Sequence, residues 1–146
     1  MTLTGDTQHD QAKRMDDMKM VKDAEKSFKS HQDVGGIKWF PNYNYVNVVG
    51  ITFHQRVLKR LWQKHGTQEF VIALVREPDN DYDKKAIAFQ SDYGVIGHVG
   101  KDEIADWQDI FKEIGLDVGL VGICALHEGN DREHLIYPKV RIFSPR

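Results

Sequence analysis

The sequence predicts a mainly β domain, a small six-stranded barrel with one or two helices and an N-terminal helical extension. Three observations indicate this fold. Apolar, β-branched segments outnumber the helical patterns, turn-forming residues separate them, and a polar segment with helical spacing precedes them. With 146 residues, 40% of them hydrophobic, the chain is long enough to build a single core.

Six segments have the composition of strands. They are Tyr45–Phe53, Phe70–Val75, Ala86–Phe89, Val95–Val99, Gly119–His127 and His134–Phe143. Residues 128–132, Glu-Gly-Asn-Asp-Arg, are typical of a hairpin connection between the last two strands. We therefore place the barrel domain at residues 45–146.

Two helices are predicted inside that domain. Residues 102–114 carry an apolar face and acids in the first turn, and Gly115 follows the last turn. Residues 55–64 predict a short basic helix, whose cations form either a solvated face or a set of phosphate contacts. Those cations are Arg56, Lys59, Arg60 and Lys64.

Residues 1–44 form the predicted extension. Residues 1–10 are polar, and we expect them to be disordered. From Gln11 to Ser30, apolar residues recur every three to four positions, which predicts an amphipathic helix. Its apolar stripe docks either on the barrel itself or on a partner protein.

The segment Leu74–Phe89 is the most informative part of the chain, because two apolar strands flank a rigid acidic turn. Pro78 restricts its own backbone and biases Glu77 towards an extended conformation. Four short polar residues that favour turns follow: Asp79, Asn80, Asp81 and Asp83. We therefore expect Asn80, Tyr82 and Asp83 at a constrained loop tip, which is a common position for functional groups.

This segment resembles the signature of the HIRAN domain family, and two flanking segments agree with it. Upstream, Val49–His54 (Val-Gly-Ile-Thr-Phe-His) resembles the family's first strand. Downstream, Gly94–Glu103 (Gly-Val-Ile-Gly-His-Val-Gly-Lys-Asp-Glu) resembles its strand and turn before a helix. The resemblance implies a small OB-like or SH3-like barrel, and we expect a stand-alone domain of this type. In the characterised members, from fork-remodelling helicase-like enzymes, the domain holds the 3′-hydroxyl end of single-stranded DNA.

The resemblance also implies a set of DNA-binding residues. They are Thr52, Phe53, His54, Asn80, Tyr82, Asp83, Lys84, His98 and Lys101. Phe53 and Tyr82 would stack on bases, and Asp83 would accept a hydrogen bond from the 3′-hydroxyl. Asn80 would shape the pocket or touch the terminal nucleotide, while Lys101 and His98 would meet phosphate.

Two of these positions depart from the family's pattern. The animal members have a basic residue where Thr52 stands and an aromatic residue where His54 stands. A threonine hydroxyl donates a hydrogen bond to phosphate but does not neutralise its charge. We therefore expect weaker or altered end binding.

The composition limits the remaining functions. The formal net charge of −2 is not the basic footprint of a general nucleic-acid binder, so DNA contact has to come from a local pocket. Base stacking on aromatic side chains contributes about 1–3 kcal/mol per base, which is enough for such a pocket. Cys124 is the single cysteine, and neither a signal pattern nor a membrane-length apolar run occurs. We expect a cytoplasmic protein with no membrane partner.

We expect no cofactor and no built metal site, and a weak contact with a divalent ion stays open. Asp79, Asp81 and Asp83 alternate as at the start of a calcium loop, but two required residues are missing. Lys84 stands at the glycine position and Gln90 at the glutamate position.

The remaining motifs have structural explanations. Gly94, Gly97 and Gly100 indicate tight turns and close backbone approach, since their spacing differs from that of a dinucleotide-binding motif. Cys124 lies in an apolar segment and is expected to be an inert core thiol.

The chain is therefore predicted to bind DNA without catalysis. Two other hypotheses stay open. One is an adaptor that docks on a helicase or nuclease through the N-terminal helix. The other is a weak metal-dependent nuclease.

Overall fold

The computed structural model describes residues 36–146 together with Lys19, Met20 and Lys22. Strands dominate this part of the chain. In chain order they are β1 (Ile37–Lys38), β2 (Tyr43–Val46), β3 (Val48–Val49), β4 (Phe70–Arg76), β5 (Ile87–Ser91), β6 (Gly94–Val99), β7 (Gly119–Glu128) and β8 (Ile136–Phe143). A 3-10 helix spans Ile51–His54, and the α-helices are α1 (Gln55–His65) and α2 (Ile104–Ile114).

The strands form one sheet in the order β2-β8-β7-β4-β5-β6-β3, and every neighbouring pair along this path is antiparallel. The two strands at the ends of the path, β2 and β3, are separated in the chain by Asn47 alone. The ends of the sheet therefore lie side by side, and the sheet curls into a nearly closed barrel. Strand β1 lies off the path and pairs with the start of β7 in parallel.

The mainly β barrel predicted from the sequence is confirmed, but the sheet in the described part of the chain has eight strands where six were predicted. The two added strands are the short β1 and one that results because the segment Tyr45–Phe53 is divided. That segment forms the end of β2, all of β3 and most of the 3-10 helix. Gly50 adopts a φ of 78°, which glycine tolerates and a strand does not, so the chain turns there. Phe53 and His54 consequently lie in a 3-10 helix and not at the end of a strand.

The core fills the barrel interior and is closed by the two α-helices. From α1, Leu58 and Leu61 are buried, and from α2, Trp107 and Phe111 are buried, all in the same cluster as the inner faces of the strands. Both predicted helices are confirmed. The backbone N–H of Gly115 donates to Phe111 O at the end of α2, as expected of a glycine after the last turn.

A second apolar cluster lies on the outer face of the sheet. Val121, Ile123 and Phe143 are buried there under Ile37, Trp39 and Met20. The predicted Gln11–Ser30 helix lies outside the described residues except at Lys19, Met20 and Lys22, which are helical. The boundary predicted at residues 44 and 45 stays a prediction; β1 and the start of β2 precede it.

Gly97 permits the close approach of β3 to β6. Its φ is 157°, and a Cβ atom there would lie 2.7 Å from Val49 O and would also meet the side chain of Val48. The close backbone approach predicted for the recurring glycines is therefore confirmed at Gly97.

Cys124 is fully buried within β7, and burial raises the pKa of its thiol. It is therefore a core residue, as the apolar sequence around it predicts. Among residues 36–146, no helix is long and apolar enough to cross a membrane.

Candidate nucleic-acid interface

The loop between β4 and β5 is organised by Asn80. The backbone N–H groups of Tyr82 and Asp83 donate to Asn80 Oδ1, at 2.9 and 3.0 Å. At the base of the loop, Glu77 N–H donates to Ala86 O at 2.9 Å, which continues the β4–β5 pairing. The constrained tip expected from the turn-forming residues is therefore present, and its position relative to the strands is defined.

Glu77 joins this loop to β6. Its Oε1 accepts from Asn80 Nδ2 at 3.2 Å and lies 2.7 Å from His98 Nε2. The side chains of Glu77 and His98 are about three-quarters and two-thirds buried, respectively, so water only partly screens the contact. One carboxylate thus holds both the Asn80 amide and the His98 ring.

His54 brings the 3-10 helix to the same place. Its ring centroid lies 5.8 Å from that of His98, with the rings tilted by 48°. Burial lowers the pKa of His54, the neighbouring His98 lowers it further, and Glu77 opposes both effects. The His54 imidazole is therefore neutral near pH 7, and it contributes a ring face and hydrogen-bonding atoms to the site instead of a positive charge.

Gln55 anchors the junction between the 3-10 helix and α1. Its Nε2 donates to Ile136 O at 3.0 Å, and its Oε1 accepts from Ile136 N–H at 2.8 Å. The same Nε2 also donates to Ile51 O at 3.1 Å. This side chain holds the short helix that carries Phe53 against the start of β8.

Phe53 directly precedes His54 in the 3-10 helix, Tyr82 lies on the loop that Asn80 organises, and both rings project into solvent. They are 88% and 100% exposed, the largest exposed fractions among the large hydrophobic side chains of the described residues. Neither ring contributes to the core. Each is carried by backbone that hydrogen bonds hold in place, so both rings are available to stack on planar groups from outside the protein.

Asp83 lies next to Tyr82 at the loop tip and is exposed. Its Oδ1 accepts from the backbone N–H of Lys85 at 2.9 Å, which orients the carboxylate. Its Oδ2 has no hydrogen-bond partner among the residues of the described structure. The Oδ2 atom of this exposed carboxylate is therefore available to accept a hydrogen bond from an external hydroxyl group.

The remaining predicted site residues are less closely associated with the cluster. Thr52 is exposed beside Phe53, and Lys84 is exposed beside Asp83. Lys101 is exposed in the turn after β6. Since β3 and β6 are antiparallel and Val49 pairs with His98, Lys101 lies towards the start of β3, whereas the 3-10 helix follows its end.

Two residues that organise the site were not among those predicted from the sequence. Glu77 stands directly before Pro78, and this position was the available signal, because it places the side chain at the end of an extended strand. Gln55 had no recognisable signal, since its partner Ile136 is 81 positions away. Within residues 36–146, no group of three or more His, Cys, Asp or Glu side chains converges to hold a metal ion.

A family model for the HIRAN domain matches residues 42–135 of this chain, more than half of its length. The crystal structure of the HIRAN domain of human HLTF is similar to this chain at 21% sequence identity. The match covers 70% of this chain and 74% of that one, with a TM-score of 0.43. No curated protein sequence gives a significant match. On the extent of the family match, the chain belongs to the HIRAN domain family, known as DNA-binding domains of helicase-like enzymes, and this membership supports nucleic-acid binding.

Proposed function

We propose that the chain binds single-stranded DNA at its 3′-hydroxyl end and does so without catalysis. The observation that carries this proposal is the arrangement at Asn80. One side-chain oxygen holds the backbone of both Tyr82 and Asp83, so one loop tip carries a fully exposed aromatic ring and an exposed carboxylate. A nucleoside at a strand terminus offers the two matching groups, a base and a free hydroxyl.

In the proposed mechanism, Phe53 and Tyr82 stack on the terminal bases, each contact contributing about 1–3 kcal/mol. Asp83 Oδ2 accepts the hydrogen bond from the 3′-hydroxyl. A 3′-phosphate would bring negative charge against the same carboxylate, and that repulsion excludes it. The His54 ring and the His98–Glu77 pair connect the two elements that carry these aromatic residues.

Phosphate contact in this mechanism falls to Lys84, Lys101 and the hydroxyl of Thr52. Neither Lys84 nor Lys101 forms an ion pair among the described residues. Because few cations lie at the end site itself, binding there should depend more on stacking and on the hydroxyl contact than on charge.

The test is a binding assay with substitutions at the loop tip. Tyr82→Ala and Asp83→Ala should each weaken binding of an oligonucleotide with a free 3′-hydroxyl, while the barrel stays folded. If both variants bind that end as wild type does, the proposed function is wrong. The proposal that the chain does not catalyse a reaction on DNA is tested separately. Labelled DNA is incubated with the protein and magnesium and run on a denaturing gel, and we expect no cleavage.

A further inference from the structure

The loop that joins β4 to β5, residues 77–86, is called the signature loop below, and the proposed 3′-end site at Tyr82 and Asp83 is called the end site. A groove outside the end site runs between the signature loop and α2. Its volume is about 390 Å³. It is lined by Arg76, Lys84, Lys85, Ile104, Ala105, Gln108, Asp109 and Lys112. The groove therefore begins at Lys84, directly after Asp83, and continues along one side of the helix.

The groove concentrates positive charge in a chain whose net charge is −2. Four of its lining residues are cations and one, Asp109, is an acid. Among the residues that the structure describes, no carboxylate pairs with Arg76, Lys84, Lys85 or Lys112. Clefts lined by uncompensated charge of one sign attract counter-ions and charged ligands.

Gln108 holds the walls of the groove in register. Its Nε2 donates to Lys85 O at 2.7 Å, and its Oε1 accepts from Arg76 Nε at 3.2 Å. Arg76 Nη1 donates to Leu116 O at 2.9 Å. The end of β4, the signature loop and α2 are therefore tied together around one side chain, so the backbone that carries the cations is held in place before any ligand arrives.

We infer that this groove binds phosphodiester groups of the nucleic acid beyond the terminus held at Asp83. This inference rests on the proposed function. The groove lacks exposed aromatic residues, which suits backbone contact rather than base stacking. The phosphates belong either to nucleotides further along the same strand or to the complementary strand of a duplex, since both present the same chemistry.

The variant that tests this inference is Lys85→Gln/Lys112→Gln. Both side chains are exposed, and the hydrogen bonds of Lys85 to Asp83 and Gln108 use only its backbone, so the fold and the end site should be retained. The matched control is Arg132→Gln/Lys139→Gln, which removes the same charge from the β7–β8 side. Affinity is measured against salt concentration with 3′-hydroxyl single strands of about 4 and about 16 nucleotides, and with a duplex that has a single-stranded 3′ overhang.

We expect the test variant to reduce the salt slope by about 0.7 for each lost contact to a single strand, with the control unchanged. If the slope is reduced only with the strand of about 16 nucleotides, the groove binds phosphates of the same strand. If the slope is reduced only with the overhang duplex, the groove binds phosphates of the complementary strand. Either result supports the inference.

The groove inference alone is overturned if wild type binds these ends and the test variant has the wild-type slope with every oligonucleotide. The inference is also overturned if the test variant binds an oligoglutamate peptide more weakly than wild type does but binds every oligonucleotide as wild type does. Failure of the proposed function looks different. In that case DNA binding depends on Lys85 and Lys112 but is unaffected by Tyr82→Ala or by the chemistry of the 3′ end.

Discussion

Glu77 Oε1 and His98 Nε2 lie 2.7 Å apart, although their residues are 21 positions apart in the chain. The contact joins the end of β4 to β6. Because Glu77 also holds Asn80, and His98 also contacts His54, this pair connects the signature loop to the 3-10 helix. The two exposed aromatic residues, Phe53 and Tyr82, lie one on each of these connected elements.

The first prediction concerns the exposed rings. Tyr82→Ala and Phe53→Ala should each weaken binding of single-stranded DNA by about 1–3 kcal/mol, because each removes one stacking surface. Thermal stability should change little, since neither ring is buried. The matched control is Tyr45→Ala, which removes an exposed ring from β2. Equal binding by all three variants would show that these rings do not contact DNA.

The second prediction concerns the loop tip. Asn80→Ala removes the acceptor for the Tyr82 and Asp83 amides, so their hydrogen exchange should accelerate and DNA affinity should fall. Asn80→Asp keeps an oxygen acceptor and should preserve the protection of these amides better. Unchanged exchange at both amides in Asn80→Ala would contradict the role given to this side chain.

The fold was largely predictable, because its determinants are local in sequence. The apolar face of residues 104–114 and the glycine after them define α2, and apolar runs define the long strands. The predicted strand at 45–53 was wrong at its end. Its residues favour a strand, but the turn at Gly50 depends on packing of the following helix against β6 and β8.

The candidate site was predictable only through the resemblance to a family. Turn chemistry alone places Asn80, Tyr82 and Asp83 on a loop, but it does not indicate what lies beside that loop. The contacts of Glu77 with His98 and of Gln55 with Ile136 depend on the register of distant strands. Those contacts decide that the 3-10 helix and the loop meet, and no local pattern encodes them.

The third prediction concerns Gly97. Gly97→Ala places a methyl group against Val48 and Val49, so it should destabilise the fold by about 1–3 kcal/mol or displace β3. Displacement of β3 also moves the 3-10 helix, so DNA affinity should fall. Gly36→Ala is a suitable control, because its φ is 138° and, chain neighbours aside, no heavy atom of the described residues lies within 4 Å of the added Cβ. Denaturant unfolding of both variants separates the steric clash at residue 97 from the cost of placing alanine at a positive φ. Equal stabilities of the two variants would contradict a clash at residue 97.

The fourth prediction concerns pH. The pKa of His54 is lowered from its ordinary value of 6.5, mainly by burial. The folded state therefore binds this proton less readily than the unfolded state, and unfolding takes up a proton as the pH falls below about 6.5. The contribution of His54 to stability is fully present above that pH and decreases on acidification.

His54→Gln should therefore flatten the loss of stability between neutral and mildly acidic pH. His65, whose pKa burial also lowers, contributes in the same direction and stays in the variant, so part of the slope should remain. Urea unfolding at several pH values measures the effect. If wild type and His54→Gln show the same pH dependence of stability, His54 does not contribute to it.

The central claim is that Asp83 recognises a free 3′-hydroxyl. The most direct measurement is fluorescence anisotropy with a single strand ending in a 3′-hydroxyl, the same strand ending in a 3′-phosphate, and a blunt duplex. Wild type should prefer the hydroxyl end by about 1.5–3 kcal/mol, the range for a hydrogen bond to a charged group. Asp83→Asn should lose that preference, because it removes the charge that repels the phosphate. Equal affinity of wild type for the hydroxyl and phosphate ends would contradict the account.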